Sequence, residues 1–367
     1  MTDDFASLVR QVLAESPVFD GHNDLPEALR SGAGHSVAKL AVVRPEFQTD
    51  LVRLKQGGVG AQFWSAWVPA TLTGGEAVRG TLEQIDAIHR LIAAYPDRLA
   101  FAVTGDDVRA AWAAGRIASL IGVEGGHSIG GSPAVLRMFA RLGARYMTLT
   151  HSDNVPWADS ATDEPNVGGL SDEGRAVVAL MEQLGVIVDL SHVAATTMRD
   201  ALDVASRPVL FSHSSAFAVT PHPRNVPDDV LERLGANGGV VQATFVPWFV
   251  STALYEWDQA ARAHADGMAL SDARAAWEAD HPRPHATLDD VVAHVQHLRE
   301  VAGIDHIGLG GDFDGVDYQP DGLEDVSCYP RLLEALAARG WSAGDLARLT
   351  GRNVLQVLDA NPVPDER

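Results

Sequence analysis

VIVDLSHVAATTMRDALDVASRPVLFSHSS, residues 186–215, holds two apolar runs, each closed by a histidine, with a longer amphipathic stretch between them. A short apolar run without polar alternation reads as a strand buried on both faces, and such strands belong to parallel sheets. The stretch between is long enough for the crossover helix that parallel strands require. Working outward, the same alternation gives eight strands, at 18–22, 60–67, 118–124, 146–151, 186–192, 209–213, 240–245 and 306–312. Ser132-Pro133 supplies an N-cap and a first-turn proline for a helix over 134–142. Ser171 opens a helix over 172–184, and Gly185 follows it at the position that favours glycine. Eight βα units in one chain predict a (β/α)₈ TIM barrel, here one enlarged domain over residues 1–367. Residues 99–103 form a spare β segment outside the barrel. Residues 32–49 read as a loop after the first strand. Residues 247–287 read as a helical insertion after the seventh strand, on the C-terminal face where barrel active sites lie.

Composition narrows the function. The 367 residues carry a formal net charge of -21, which excludes nucleic acid and anionic membranes as partners because both require basic patches. Cys328 is the single cysteine, so neither an internal disulfide nor a thiolate metal cluster is expected. The start of the chain has no basic region followed by an apolar one, no apolar run reaches membrane-spanning length, and the C-terminus is polar. A cytoplasmic protein without a membrane anchor is the expectation.

Four of the 14 histidines close predicted strands: His22, His151, His192 and His213. Four imidazoles at one barrel mouth are hard to explain by packing, and a cation resolves the problem because imidazole is a common zinc ligand. His22 and Asp24 are two apart, so an extended strand points both to the same side. Glu124 ends an apolar strand and is followed by Gly125 and Gly126. A buried unpaired carboxylate is strongly unfavourable, and a glutamate bridging two cations is the simplest account. His192 and His213, one strand apart, form a natural ligand pair for a second metal. Of Asp312 and Asp314 in the last loop, Asp312 is favoured as general base for its nearness to the barrel mouth, with Asp314 fixing the glycine-rich turn. Asp189 is expected behind the ligands, His127 in local hydrogen bonding, and His306 in a structural role at the opposite face.

The stretches DGHNDLP (20–26), GVEGGH (122–127), LTHSDNVPWAD (149–159), DLSH (189–192), SHSSAFAV (212–219), HPRNVPDD (222–229) and GLGGDFDG (308–315) resemble the membrane dipeptidase, or renal dipeptidase, family of zinc metallopeptidases. The likeness runs from about residue 15 to residue 358. It implies a barrel of the amidohydrolase type holding two zinc ions, with His22 and Asp24 on one, His192 and His213 on the other, and Glu124 between them. It further implies that a hydroxide shared by the two ions attacks the peptide, that His151 contacts the scissile carbonyl, that Arg224 binds the terminal carboxylate and that Asp312 transfers the proton. Dipeptides of the L-X–L-Y or L-X–D-Y type are the implied substrates, and a homodimer is the implied assembly. Animal members are secreted and lipid-anchored, with disulfides; no signal, anchor or disulfide is expected for this chain, so membrane attachment is not carried over. Two other functions stay open from the residues: a binuclear amidohydrolase acting on N-acyl amino acids, lactams or lactones, and a non-catalytic metal-binding barrel.

Overall fold

Nine parallel strands appear in a computed structural model that describes residues 2–265 and 267–364. They are β1 (Val18–Asn23), β2 (Val59–Trp67), β3 (Leu99–Phe101), β4 (Ile117–Glu124), β5 (Ala144–Thr148), β6 (Ile187–Asp189), β7 (Leu210–Phe211), β8 (Val240–Ala243) and β9 (Ile307–Leu309). β2 pairs directly with β4, and β9 returns to β1 through Asp20 and Leu309, so eight strands close into a barrel. β3 pairs only with the first residues of β4 and stays outside the ring. Every residue of β1, β4 and β5 is buried, as strands covered on both faces must be. The chain is thus a (β/α)₈ TIM barrel, as expected.

Strand ends differ from expectation. β5, β6, β7 and β9 stop two or three residues early, so His151, His192, His213 and Asp312 lie in the loops just past their strands. The reason is local. His192 and Asp312 have φ of 69° and 56°, and left-handed residues cannot continue a ladder. Side chains take over the freed backbone donors: Ser191 Oγ accepts from His213 N at 3.0 Å, and Asp189 Oδ1 from Ser212 N at 2.8 Å.

The helices follow their caps. Pro133–Arg141 begins at Ser132, and Asp172–Leu184 begins where Ser171 accepts from Gly174 N and ends at a left-handed Gly185. After β8 the chain forms three helices, Pro247–Val250, Thr252–Ala263 and Leu270–Glu278, before the long helix Leu288–Ala302. Leu25–Ala33 follows β1 closely, and residues 34–50 run as turns over the barrel mouth. No described helix is long and apolar enough to cross a membrane. Inside the barrel, Phe19, Phe63 and Tyr146 stack with centroids 5.5 and 4.7 Å apart. Gly122 makes room for the last of these, since a Cβ there would come within 2.0 Å of the Tyr146 ring.

His294 ties the insertion to the barrel. Its Nδ1 accepts from Ala216 N at 3.0 Å, so Nε2 carries the proton and donates to Val250 O at 3.1 Å. Burial pushes this imidazole down to about 4 from an ordinary 6.5. Between those values the unfolded chain binds a proton that the folded chain refuses. Stability is therefore full above pH 6.5 and falls as the pH drops toward 4, by on the order of 3 kcal/mol. Urea midpoints at pH 7 and pH 4.5 should show His294→Gln losing less on acidification than the wild type; equal losses would refute the assignment.

Candidate metal centre

Six of the barrel strands, β1, β4, β5, β6, β7 and β9, deliver polar residues to the same rim. His22 lies within β1, where its main-chain N donates to Asp20 Oδ1 at 2.9 Å. Asp20 also accepts from Gly311 N and from the Tyr329 hydroxyl, which clamps β1 to the β9 loop. Asp24 heads the helix Leu25–Ala33. Glu124 is the last residue of β4, and the chain leaves it through Gly125 at φ 105°. A Cβ on Gly126 would lie 2.4 Å from Leu149 O, so a glycine is needed for the loop to pass β5.

Glu124 is the hub. Its Oε2 accepts from Ser65 Oγ at 3.0 Å and lies 3.4 Å from His22 Nε2. Its Oε1 lies 3.0 Å from His192 Nε2 and 3.6 Å from both His213 Nε2 and His151 Nε2. On the Oε2 side, His22 Nε2 is 3.1 Å from Asp24 Oδ2 and 4.0 Å from Asp312 Oδ1. On the Oε1 side, His192 and His213 face each other at 2.9 Å through Nε2. Three overlapping donor groups result: His22, Glu124 and His213; Glu124, His151 and His192; His22, Asp24 and Asp312.

The nitrogens facing away from the cluster are held in turn. His22 Nδ1 lies 2.8 Å from the Tyr146 hydroxyl, which itself donates to Gly21 O. His213 Nδ1 lies 2.8 Å from Ser212 Oγ, which donates to Asp189 Oδ2. Both hydroxyls can receive the Nδ1 proton, so the Nε2 atoms are the ones turned to the centre: His213 Nε2 as a bare lone pair, His22 Nε2 once a cation displaces its proton. Burial first, then neighbouring positive charge, pushes His192 and His213 well below the ordinary range, so they stay in the unprotonated form that ligates metals. Burial would lower His22 too, yet Tyr146, Glu124 and Asp24 outweigh it and raise it well above 6.5. The centre therefore demands positive charge. Bare imidazole nitrogens beside carboxylate oxygens are a donor set that fits divalent metal ions.

Asp312 is pushed well above the usual carboxylate range, mainly by burial and further by the Asp24 and Glu124 charges. Arg224 is only 2% exposed, and no carboxylate pairs with it among the described residues. Its Nη atoms reach Ser214 Oγ and His213 O only at 3.4 Å, and its Nε has no partner. Burial lowers it to about 10, so it remains charged at neutral pH. A cavity of about 240 Å³ exposes Asp24, Glu124, His151, His192, Arg224 and Asp312 together. His22 and His213 are fully covered beneath it.

The remaining sequence candidates separate cleanly. Asp189 supports His213 through Ser212. Asp314, at φ 65°, accepts from Gln48 N at 2.7 Å and fixes its turn. His127 reaches Val68 O, and His306 reaches Gly239 O. Sequence reasoning did not find Tyr146, Ser65 or Ser212. Their only signal is a hydroxyl in or just after an apolar run.

Residues 7–363 match the membrane dipeptidase family, peptidase family M19. Dipeptidase verJ of Clonostachys rogersoniana is 41% identical over 98% of this chain and 88% of its own. An uncharacterized dipeptidase of Schizosaccharomyces pombe is 43% identical over 94% and 81%. Among solved structures, the probable dipeptidase PvdM of Pseudomonas aeruginosa superposes with a TM-score of 0.85 at 21% identity, covering 98% of both chains. A metallopeptidase of Rhodobacter sphaeroides, liganded with a phosphinate mimic of the dipeptide L-Ala-D-Ala, superposes with a TM-score of 0.79 at 24% identity, covering 95% and 99%.

Removing the support behind a candidate ligand should loosen a bound metal without unfolding the barrel. Tyr146→Phe is expected to weaken metal retention about tenfold in competition with a chelator. Unchanged retention in a folded variant would show that His22 needs no such partner.

Proposed function

The chain belongs to the membrane dipeptidase family and is a metal-dependent dipeptidase; we propose that it works with two zinc ions on dipeptides carrying a free C-terminal carboxylate. His22 and Asp24 would hold one ion, His192 and His213 the other, and Glu124 would bridge them, one carboxylate oxygen to each half of the cluster. When bound, such a pair supplies a hydrolytic nucleophile near neutral pH and withdraws electrons from the scissile carbonyl.

The chain's own groups do the rest. Asp312, 4.0 Å from His22 Nε2 and raised by burial, takes the proton of the attacking water on a carboxylate oxygen and hands it to the leaving amine nitrogen. Burial keeps the His151 imidazole neutral. Its Nε2 faces Glu124 Oε1 at 3.6 Å, which favours the proton on that nitrogen with Nδ1 accepting from Ser152 Oγ at 2.8 Å, and Nε2–H would donate to the developing oxyanion. Arg224 receives the substrate's terminal carboxylate in a bidentate pair and fixes its position. Trp67 and Phe249 wall the cavity and limit water beside the reacting bond.

The observation that carries this reading is Arg224. A guanidinium with no carboxylate partner is costly to bury, and the cavity at its side gives a substrate carboxylate access to it. The same bond would accept L-X–L-Y and L-X–D-Y substrates alike, because Arg224 reads the carboxylate and not the chirality beside it.

Chelation should abolish dipeptide cleavage and added zinc should restore it; turnover by fully metal-free protein would end the proposal. Arg224→Met should lower kcat/KM for free dipeptides roughly tenfold to a hundredfold, through KM. Dipeptide amides, which lack the carboxylate, should change far less. Equal losses for both, or cleavage of N-acyl amino acids in preference to dipeptides, would redirect the substrate assignment.

A further inference from the structure

A second cavity, of about 250 Å³, opens beside the first and shares His192, Arg224 and Phe249 with it. Its far wall belongs to the three helices after β8. Arg262 and Arg274 stand there, and Asp258 lies between them. Asp258 is 4% exposed, and both of its oxygens are engaged: Oδ2 by Arg262 Nε at 2.6 Å, Oδ1 by Arg274 Nε at 2.7 Å and Nη2 at 2.6 Å. Arg274 also stacks over Trp248, 4.7 Å from the ring centroid. Both guanidiniums are thereby held in place, yet neither is saturated. The Nη atoms of Arg262 and Nη1 of Arg274 make no hydrogen bond among the described residues.

Charge decides what this space accepts. With Arg224, three guanidiniums face the single carboxylate of Asp258. His222 adds no charge, since burial and then the Arg224 and Arg262 charges push it down to about 3. If the substrate's terminal carboxylate pairs with Arg224, one positive charge is still uncompensated. A chain of net charge -21 thus keeps a surplus of positive charge beside its reactive centre. Asp258 is not available to a cationic ligand, because its oxygens are already taken.

Covalent geometry decides which part of the substrate arrives. A carboxylate on Arg224 places its own Cα beside that arginine, and one of the two configurations at that Cα sends the side chain toward the adjoining space that Arg224 also lines. We infer that the Arg262–Arg274 cavity receives the side chain of the C-terminal residue, and that this side chain is a carboxylate, making X–Asp and X–Glu dipeptides the preferred class. The inference rests on the dipeptidase reading above and sharpens it. Asp258 acts as the positioning residue that aims both guanidiniums.

The test compares isosteric substrates on the metal-loaded enzyme: Ala–Asp against Ala–Asn, Ala–Glu against Ala–Gln, and Ala–Lys, each with an L or D C-terminal residue. At least one acidic substrate should exceed its amide tenfold or more in kcat/KM, with Ala–Lys poorest. Arg262→Met and Arg274→Met should each shrink the acid-to-amide ratio, and Arg262→Glu should favour Ala–Lys over Ala–Asp. Taking ratios within one variant cancels any loss of folded protein. Titration calorimetry with free glutamate and glutamine gives the same discrimination as affinity, apart from turnover. Equal rates for acid and amide in the wild type, or a ratio that survives both methionine variants, would overturn the inference. In that case continued cleavage of neutral dipeptides would leave the parent reading intact, whereas no cleavage of any dipeptide would remove both.

Discussion

Glu124 is buried at the end of a strand whose every residue is buried, and much of the barrel mouth can be read as the response to that one carboxylate. An isolated charge there would neutralise itself by taking a proton. Burial does push in that direction, but the His22 charge and the hydrogen bonds from His192 and His22 hold Glu124 well below the usual carboxylate range. The barrel's register makes this possible. β2 and β4 pair from Ala61 with Ala118 to Trp67 with Glu124, which brings Ser65 within hydrogen-bond distance of Oε2 and Trp67 to the cavity wall. On the other side β5 carries Tyr146 to His22. No single strand could supply this environment. Closure of the ring converts six separate strand ends into one donor set.

That dependence explains the backbone around the site. His192, Asp312 and Asp314 all adopt left-handed φ, an arrangement that residues with side chains rarely take up. The cost is met by the surrounding hydrogen bonds: Asp189 and Ser191 hold the β6 and β7 loops together, and Gln48 holds the turn at Asp314. Rigidity here suits the proposed function, because proton transfer and carboxylate capture would both require fixed distances.

How much of this was legible in the sequence depended on how far each relation reaches along the chain. His22, Asp24 and Glu124 were legible because strand alternation and an apolar run ending in a carboxylate are local signals. His151, His192, His213 and Asp312 were found at the right rim although the strands stop short of them, since a reading based on apolar runs cannot see where φ changes sign. Tyr146, Ser65 and Ser212 were not legible. Each matters only through a partner on another strand, and a hydroxyl in a strand has no pattern of its own. Arg224 was found through resemblance alone, as nothing near it in the chain marks it as buried or unpaired.

The arginines of the insertion show the limit most plainly. Arg262 follows Asp258 at i+4, which on an isolated helix reads as an ordinary surface pair worth a few tenths of a kcal/mol. Arg274 lies on the next helix and carries no signal toward either. Only when Thr252–Ala263 packs against Leu270–Glu278 does one carboxylate come to serve two guanidiniums, and only then does a surplus of positive charge stand next to Arg224. The division of labour follows from this. Strand ends of a closed barrel can move little without breaking the ring, so they suit chemistry that tolerates no displacement. Helices inserted after a strand touch the ring at fewer points, so their side chains can change while the donor set stays in place. Substrate preference in this chain therefore belongs to the element whose charges can vary independently of the centre they face.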